Sequence, residues 1–324
     1  MNKENNDHVK LQFFGVRGSF PSFLDNSELE EKLAWVLKDA RQHDLVSDEA
    51  IGKYIAGLPP HRKNFIGGNT ACVYVNVGGK HIILDAGSGI RRLGERMMHT
   101  EFGKGSGTAH IFLSHTHWDH IMGFPSFLPA FKSGNEIIIY GVHNGLEQRI
   151  SNQQEDEFFP VSLSAMGANI DFVQLRKEET INLGELAITN TMLNHPGGSF
   201  AYRLDYKGKS IVYATDSEYK NLNPEQNEKF IQFFHGADVL IFDAQFTIEE
   251  SIEKENWGHS TAIQGVNLAS QAGVKNLFFF HHDPSYSDVK LQNILLSAIE
   301  YQKQQSAAGG LNLALAREGL ELIL

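Results

Sequence analysis

Residues 115–120 read HTHWDH and gather three histidines and one aspartate within six positions. Imidazole nitrogens and carboxylate oxygens are ligands that Zn²⁺ uses in proteins, and Fe and Mn accept them as well. This segment alone would leave the coordination shell of one metal ion incomplete, and two neighbouring ions would each need further ligands. Histidines this dense have no packing advantage over leucine or valine, so the motif favours metal binding over a structural role.

The motif follows AHIFLSH at 109–115, an apolar run that predicts a buried strand. Ligands at the carboxyl end of a strand are held by a rigid element and still face a crevice. His115 and His117 can point in one direction from an extended turn. Asp119 and His120 can then face a second point nearby, which is compatible with two adjacent metal ions.

More polar side chains stand where later apolar runs end. His195 follows TMLN, Asp216 closes SIVYATD, His259 precedes a predicted helix, and His281 and His282 end NLFFFHH. Taken singly, each has a structural interpretation as a turn residue or a residue at a helix entry. Together with HTHWDH, they predict one site assembled from distant segments.

Apolar runs with turn signals between them predict a strand-rich domain with few long helices. The predicted strands are 10–16, 71–77, 81–87, 109–115, 136–141, 170–175, 185–193, 200–206, 210–216, 238–244 and 276–282, followed by two in the last 14 residues, LNLALAREGLELIL. The predicted helices are 27–43, 224–235 and 261–272, with Ser27 and Glu30 as a capping box for the first. We therefore expect one α/β domain over residues 1–324, a four-layer sandwich of two sheets covered by helices, with a helical insertion at about 22–66.

Charge and cysteine content limit the possible partners and compartment. The chain has 28 basic and 39 acidic residues, so its formal net charge is 28 − 39 = −11. That balance argues against an extended nucleic-acid surface and leaves room for a small phosphorylated substrate. One cysteine, Cys72, excludes an internal disulfide framework and favours a cytoplasmic location. We expect no membrane contact, because no apolar run approaches the roughly 18 residues of a transmembrane helix and no signal-peptide pattern is present.

The ordered set of HTHWDH, an isolated His195, Asp216 after a strand and a late His281 resembles the metallo-β-lactamase superfamily over nearly the whole chain. The resemblance implies an αββα sandwich with a binuclear metal site along one edge. It implies that one metal is held by His115, His117 and His195, and the other by Asp119, His120 and His281, with Asp216 bridging. His281 is preferred to His282 because FFFHHDP is similar to the ending of ribonuclease Z-type members.

Within that superfamily, GHSTAIQGVNLASQAGVKNLFFFH (258–281) is similar to the His-Ser-Thr helix entry of phosphodiesterase-type members, related to ribonuclease Z and the phosphonate-pathway cyclic phosphodiesterase. FFGVRGSFP, GGNTACVYV and ILDAGSGIRRLG are similar to bacterial phosphodiesterase-like hydrolases, some of which act on cyclic mononucleotides. The sequence departs from these relatives in two ways. It has the insertion at 22–66, which is not part of the minimal fold, and it lacks a Gly/Pro-rich basic arm like the one with which ribonuclease Z binds tRNA.

The resulting hypothesis is a binuclear metal-dependent phosphodiesterase for a small phosphodiester or nucleotide, with a cyclic nucleotide as one possibility. Its two divalent ions are expected to be Zn²⁺, with Mn²⁺ or Fe²⁺ as alternatives. A metal-bridging hydroxide would attack phosphorus, Asp119 would orient it or accept its proton, and His259 would donate to phosphate or the leaving oxygen. Substrate contacts are assigned to His282, Ser199 and Asn69.

Other functions stay open at this stage. They are a tRNA 3′-processing ribonuclease, a thioesterase or lactamase, and a non-catalytic nucleotide sensor. Trp118 is either a packing residue or a stacking face for a base. The predicted first helix carries an apolar stripe that must be buried in the core or against a second subunit, and we expect a homodimer. The stripe consists of Leu29, Leu33, Val36 and Leu37.

Overall fold

The computed structural model describes residues 8–220, 223–305 and 310–324, whose strands form two seven-stranded sheets. The first sheet contains, in spatial order, β14 (Glu321–Ile323), β1 (Val9–Gly15), β2 (Cys72–Val77), β3 (Lys80–Leu84), β4 (Thr108–Phe112), β5 (Glu136–Gly141) and β6 (Asn169–Gln174). The second contains β13 (Asn312–Leu315), β12 (Asn276–Phe280), β11 (Val239–Asp243), β10 (Lys209–Ala214), β9 (Ser199–Tyr206), β8 (Leu186–Leu193) and β7 (Thr180–Leu183).

Helices connect the strands and cover the outer faces of the sheets. They are α1 (Asn26–Asp39), α2 (Asp48–Gly57), α3 (Pro60–Lys63), α4 (Ile90–Met97), α5 (Trp118–Ile121), α6 (Leu128–Phe131), α7 (Leu146–Asn152), α8 (Pro224–Phe234), α9 (Ile248–Glu253), α10 (Ala262–Gln271) and α11 (Asp288–Gln304). Short 3₁₀ helices span Gln42–Leu45, Glu101–Lys104, Phe124–Ser126 and Leu163–Ala165. Among the described residues, no helix combines the length and apolar character needed to cross a bilayer.

Apolar side chains on both faces of the sheets produce the four layers. In β2, Val73 and Val75 enter the core between the sheets, whereas Cys72 and Tyr74 enter the core under the outer helices. The inner core joins the two sheets directly, since the rings of Phe13 and Phe278 lie 5.5 Å apart. Burial on both faces explains why the central strands are apolar without interruption. The predicted αββα sandwich is confirmed.

Strand direction brings the carboxyl ends of six strands to one edge of the sandwich. In the first sheet β3 and β4 are parallel, and in the second β10, β11 and β12 are parallel. Strand β8 runs in the same direction as β10 because β9 is antiparallel to both. Polar residues that follow these strands therefore meet in the crevice between the sheets.

The structure corrects one local prediction and adds one strand that the sequence did not predict. Helix α1 is capped by Asp25, whose carboxylate accepts from the backbone N–H of Glu28 at 2.8 Å, while the Ser27 hydroxyl donates to Asp25 at 2.7 Å. Ser27 therefore supports the cap and is not the cap itself, because the aspartate carboxylate already accepts the free N–H. Strand β7 was not predicted, since it is a four-residue, partly exposed strand at the edge of its sheet.

Helices α1 to α3 lie between β1 and β2 in sequence and form the segment that we refer to as the insertion, residues 22–66. The ammonium group of Lys32 donates to the carbonyls of His61 and Asn64 at 2.8 and 2.7 Å and to the carboxylate of Asp288 at the start of α11. Helix α1 nevertheless buries none of its residues. Leu29, Leu33 and Leu37, which share one face, are 45%, 52% and 72% exposed, so their stripe does not pack in the core.

Candidate metal centre

The first group of potential ligands contains three histidines from two loops. His115 and His117 follow β4, and His195 follows β8. Their ring nitrogens all lie within 4.8 Å of one another, and His195 Nε2 is 3.1 Å from His117 Nδ1. Because a divalent ion accepts imidazole nitrogens at about 2 Å, three rings that converge in this way can hold one ion.

The second group lies beside the first and is fully buried. It consists of Asp119, His120, Asp216 and His281. His281 Nε2 lies 3.1 Å from Asp119 Oδ2 and 3.3 Å from His120 Nε2. Four oxygen and nitrogen atoms at these separations could together hold a second ion.

Asp216 connects the two groups through its two carboxylate oxygens. Oδ1 lies 3.2 Å from the Nε2 atoms of both His120 and His281. Oδ2 lies 3.8 Å from the Nε2 atoms of both His115 and His195. One carboxylate therefore offers an oxygen to each group, as a ligand that bridges two metal ions must.

Hydrogen bonds from the protein select the tautomer of four of these imidazoles. His120 donates its Nδ1–H to Asp85 at 2.7 Å, and His281 donates its Nδ1–H to Gln245 at 2.9 Å. His195 Nδ1 and His115 Nδ1 are bonded to the Gly258 carbonyl and the Ser114 hydroxyl at 3.0 and 3.1 Å. Each ring thereby keeps its Nε2 lone pair for the centre, as metal-binding histidines do.

The donor set fits divalent metal ions. His115 Nε2 is buried without a hydrogen-bond partner, which costs free energy unless a cation or proton completes the site. Likewise, the Nε2 atoms of His120 and His281 face each other at 3.3 Å although both Nδ1 atoms already donate to acceptors. Two lone pairs at this distance repel each other, and a shared positive ion removes the repulsion.

Electrostatics keep the carboxylates of the centre ionised. Burial raises the pKa of Asp216, but positive charge on His281 and His120 outweighs burial and holds the pKa well below its usual value, and metal ions beside the same atoms would act in the same direction. The same balance, with His120 and His281 as the opposing groups, holds the pKa of Asp119 well below its usual value. Burial lowers the pKa of His115 far below that of a free imidazole, so this ring stays neutral and available as a ligand.

The backbone at the ends of the strands is unusual. Asp85, Asp216 and His281 have φ values of 61°, 54° and 58°, a left-handed conformation that non-glycine residues adopt at a cost of about 1–3 kcal/mol. Each stands directly after its strand or one residue later, so the strands end earlier than the apolar runs predicted. The sharp change of direction turns the side chain back over the strand end and into the crevice.

His259 stands at the border of the two groups. Its Nδ1–H donates to Asp243 at 2.8 Å, and its ring stacks on His281 with centroids 5.0 Å apart. It lies two residues before Thr261, which caps α10, so it belongs to the loop and not to the helix. Asp243 was not singled out from the sequence, although its position at the end of the run DVLIFDA matches that of the other site residues.

His282, Ser199 and Asn69, predicted to contact substrate, are not brought into either group. His282 donates from Nε2 to the Ala316 carbonyl at 2.9 Å, and burial lowers the pKa of this ring to about 3. Ser199 is buried and donates to Thr215, and Asn69 bonds to Glu318 through its backbone and its amide at 2.6 and 3.0 Å. All three side chains are engaged by protein groups, so we leave them out of the substrate contacts proposed below.

Two helix-covered sheets with a cluster of histidines and carboxylates at one edge define a protein of the metallo-β-lactamase fold. The chain belongs to the beta-lactamase superfamily, since the sequence model of the Beta-lactamase superfamily domain matches residues 80–282. Enzymes of this fold use divalent metal ions.

Among curated relatives, the chain is 26% identical to ribonuclease Z of Haloarcula marismortui over 302 residues, which cover 78% of this chain and 90% of the relative. It is also 26% identical to ribonuclease Z of Pseudomonas putida, with 72% and 83% of the two chains covered.

Solved structures with the same fold include YhfI from Bacillus subtilis, with a TM-score of 0.63, 18% identity and coverage of 98% and 100% of the two chains. Unliganded yeast PDE1 has a TM-score of 0.60 at 13% identity, with 98% and 99% covered. The short form of human tRNase Z has a TM-score of 0.59 at 17% identity, with 97% and 98% covered. At these identities the structures establish the shared fold.

Proposed function

We propose that the protein is a binuclear metal-dependent phosphodiesterase that cleaves a small phosphodiester, with cyclic nucleotides as candidate substrates. Membership of the superfamily and the ribonuclease Z relatives make it a metal-dependent hydrolase. One observation carries the finer proposal: Asp216 lies between two ligand groups, and His259, held by Asp243, borders both. This arrangement suits attack on phosphorus followed by protonation of the leaving oxygen.

The proposed ligands of the two ions are the residues of the two groups, with Asp216 shared. When bound, two divalent ions supply Lewis acidity toward a phosphoryl oxygen and lower the pKa of a water so that it is nucleophilic at neutral pH. We propose Zn²⁺ because imidazole and carboxylate in four-coordinate sets suit it, with Mn²⁺ or Fe²⁺ as alternatives. Metal analysis of the purified protein distinguishes them.

Two side chains are assigned to proton handling. The backbone N–H of Ser19 donates to Asp119 Oδ2 at 2.8 Å, which holds this carboxylate in a position to orient the attacking water by accepting a hydrogen bond from it. The bond from His259 Nδ1 to Asp243 leaves the Nε2 atom of His259 to hold a proton and deliver it to the leaving oxygen. Asp243 therefore acts as a positioning residue for His259.

The test combines a substrate panel with one variant pair. The panel contains bis-p-nitrophenyl phosphate, cyclic mononucleotides, a pre-tRNA, a thioester and a β-lactam, assayed with metal-analysed protein. His259→Ala is expected to keep its metal content and lose about 10²–10⁴ in kcat on the diester. His235→Ala, which removes an exposed imidazole at the end of α8, serves as the control. Turnover of only the thioester or β-lactam contradicts the proposal, and near-normal kcat in His259→Ala removes that residue from it.

Processing of tRNA is the second candidate function, and the ribonuclease Z relatives favour it. The formal net charge of −11 works against a large RNA footprint, because contacts to many phosphates need clustered cations. Cleavage of the pre-tRNA at a much higher kcat/KM than any small diester would support this second candidate over the first.

We further propose that residues 1–324 act as one catalytic domain in the cytoplasm and that a second copy covers the exposed stripe of α1. The single cysteine supports a reducing compartment. The stripe of Leu29, Leu33 and Leu37 would otherwise remain in water. Sedimentation analysis of the wild type and of Leu33→Glu tests the dimer: a wild type that stays monomeric at high concentration contradicts it.

A further inference from the structure

Three exposed aromatic residues are next in sequence to residues of the candidate metal centre or to groups that contact it, and we refer to Phe20, Trp118 and Trp257 as the aromatic rim. They are 58%, 71% and 63% exposed, respectively. The protein has three tryptophans, and two of them belong to this rim. Exposed aromatic rings that gather around one crevice are a common feature of binding sites, whereas single exposed rings need no explanation.

Each rim residue is adjacent in sequence to a group that contacts the centre. Phe20 follows Ser19, whose backbone N–H donates to Asp119 at 2.8 Å. Trp118 stands between His117 and Asp119 at the start of α5. Trp257 precedes Gly258, whose carbonyl is bonded to His195 at 3.0 Å. The rim therefore derives from three separate segments that meet at the same centre.

The backbone under Phe20 and Trp257 is tightly constrained. A Cβ atom at Gly258 would lie 2.3 Å from His195 Nδ1, and one at Gly18 would lie 2.3 Å from His281 Nδ1. Both segments therefore pass against ligand side chains at a distance that only glycine permits. Phe20, two residues after Gly18, and Trp257, one residue before Gly258, therefore have backbone that the chain itself keeps close to the centre.

Lys254, whose ammonium group lies 3.9 Å from the carboxylate of Asp283, is near the rim on the side of His259. The ammonium group of Lys254 lies 4.6 Å from the ring centroid of Phe246 and 5.9 Å from that of Trp257. Phe246 in turn packs edge-on against His259, with centroids 5.3 Å apart. Aromatic faces combined with a cation suit a ligand that has a flat π-system and a negative charge.

Resting on the proposed phosphodiesterase function, we propose that the aromatic rim stacks the nucleobase of the nucleoside esterified to the scissile phosphate. The acidic net charge of −11 limits recognition through further phosphates, so stacking has to supply much of the affinity. Stacking depends on the π-face that all bases share, so the rim selects for nucleosides over alkyl groups with little preference among bases.

Two substrates with the same leaving group isolate this contribution. Thymidine 5′-p-nitrophenyl phosphate and methyl p-nitrophenyl phosphate differ in the nucleoside whose base the rim would stack, so the change that a rim variant causes in the ratio of their kcat/KM values reports on the stacking. The wild-type ratio is expected to be about 5 to 150. Trp118→Ala and Trp257→Ala are each expected to lower the ratio at least about threefold. Phe158→Ala, which removes an equally exposed ring in the segment before β6, is the control and should leave the ratio unchanged.

The outcomes separate this inference from the function on which it rests. A wild-type ratio near one, or ratios unaffected by both tryptophan variants, overturns the inference while hydrolysis of the methyl ester still supports the phosphodiesterase. If neither these two esters nor any phosphodiester of the substrate panel is hydrolysed, the phosphodiesterase proposal fails, and quenching of tryptophan fluorescence by thymidine 5′-monophosphate then decides on the rim. Quenching that Trp118→Ala and Trp257→Ala reduce supports the rim, and its absence overturns it. A pre-tRNA assay completes the test: losses in the variants on RNA but not on the thymidine ester overturn the assignment to a small substrate.

Discussion

Replacing Asp85 by asparagine tests how the protein prepares His120 for a metal ion. Asp85 is completely buried, and its Oδ2 accepts from His120 Nδ1, the Ser114 hydroxyl and the Tyr213 hydroxyl, all at 2.7 Å. Its Oδ1 accepts from the Ser114 backbone N–H, also at 2.7 Å. In Asp85→Asn, one oxygen can still serve the backbone N–H, but an NH₂ group then faces the three other donors.

The two hydroxyls can rotate and become acceptors, whereas the imidazole of His120 cannot avoid the new donor. Its proton has to move from Nδ1 to Nε2, the atom that lies 3.2 Å from oxygens of both Asp119 and Asp216. The Nε2 lone pair is then lost to the centre. We expect metal affinity to fall about 10–100-fold, the usual effect of removing such a partner. That loss equals roughly 1.4–2.7 kcal/mol.

The measurement is a competitive titration of metal-free protein against a chromophoric zinc chelator. Asp171→Asn makes the same chemical change at an exposed position of β6 and should leave affinity unchanged. Tyr213→Phe removes another donor to Asp85 but keeps the pair with His120, so its affinity should stay within about threefold of the wild type. If Asp85→Asn binds zinc as tightly as these controls, the tautomer argument is wrong.

Three further predictions concern proton transfer, the insertion and acid stability. Asp243→Asn should lower kcat about 10²-fold, and adding it to His259→Ala should cause little further loss, because both changes act through one imidazole. Lys32→Met should lower the free energy of unfolding by about 1–3 kcal/mol, since the buried carboxylate of Asp288 loses its hydrogen-bonded ammonium partner and keeps the Arg17 guanidinium at 4.0 Å and the Ile66 N–H at 3.3 Å. Burial lowers the pKa of His110 to about 4, against about 6.5 for an unfolded chain. The unfolded state then binds more protons, so the free energy of unfolding should fall as pH drops from about 6.5 towards 4, and His110→Gln should make that decline shallower.

Each of these has a matched control. Additive losses in the Asp243→Asn/His259→Ala variant would show that the two residues act separately. Lys38→Met changes an exposed lysine of the same helix and should cost little in urea unfolding; an equal cost in both lysine variants contradicts the role of Asp288. His99→Gln, at an exposed position, should leave the pH dependence of stability as it is in the wild type. An identical acid slope in His110→Gln and the wild type would refute the assignment to His110.

The sequence was sufficient to predict the layers and to single out most of the residues that the structure brings together in the candidate centre. Uninterrupted apolar runs indicate strands buried on both faces, and HTHWDH after such a run indicates ligands at a strand end. His195, Asp216 and His281 could be found because each follows another apolar run. These sequence patterns are local, because a few neighbouring residues are enough to show where an apolar strand ends and a polar residue follows.

The tertiary structure determined which groups the side chains of these residues contact. His281 and His282 are adjacent, yet one lies in the centre and the other donates to the Ala316 carbonyl, because the left-handed backbone at His281 changes the direction of the chain between them. The support that Asp85, Gln245 and Asp243 give to three imidazoles is likewise absent from any local pattern. Hydrogen bonds between residues 16 to 36 positions apart exist only once the strands have been ordered side by side, and strand order is a property of the packed sheets. The local sequence thus determined which residues are available as metal ligands. The packing of the two sheets determined which of them lie together and which hydrogen-bond partners orient them.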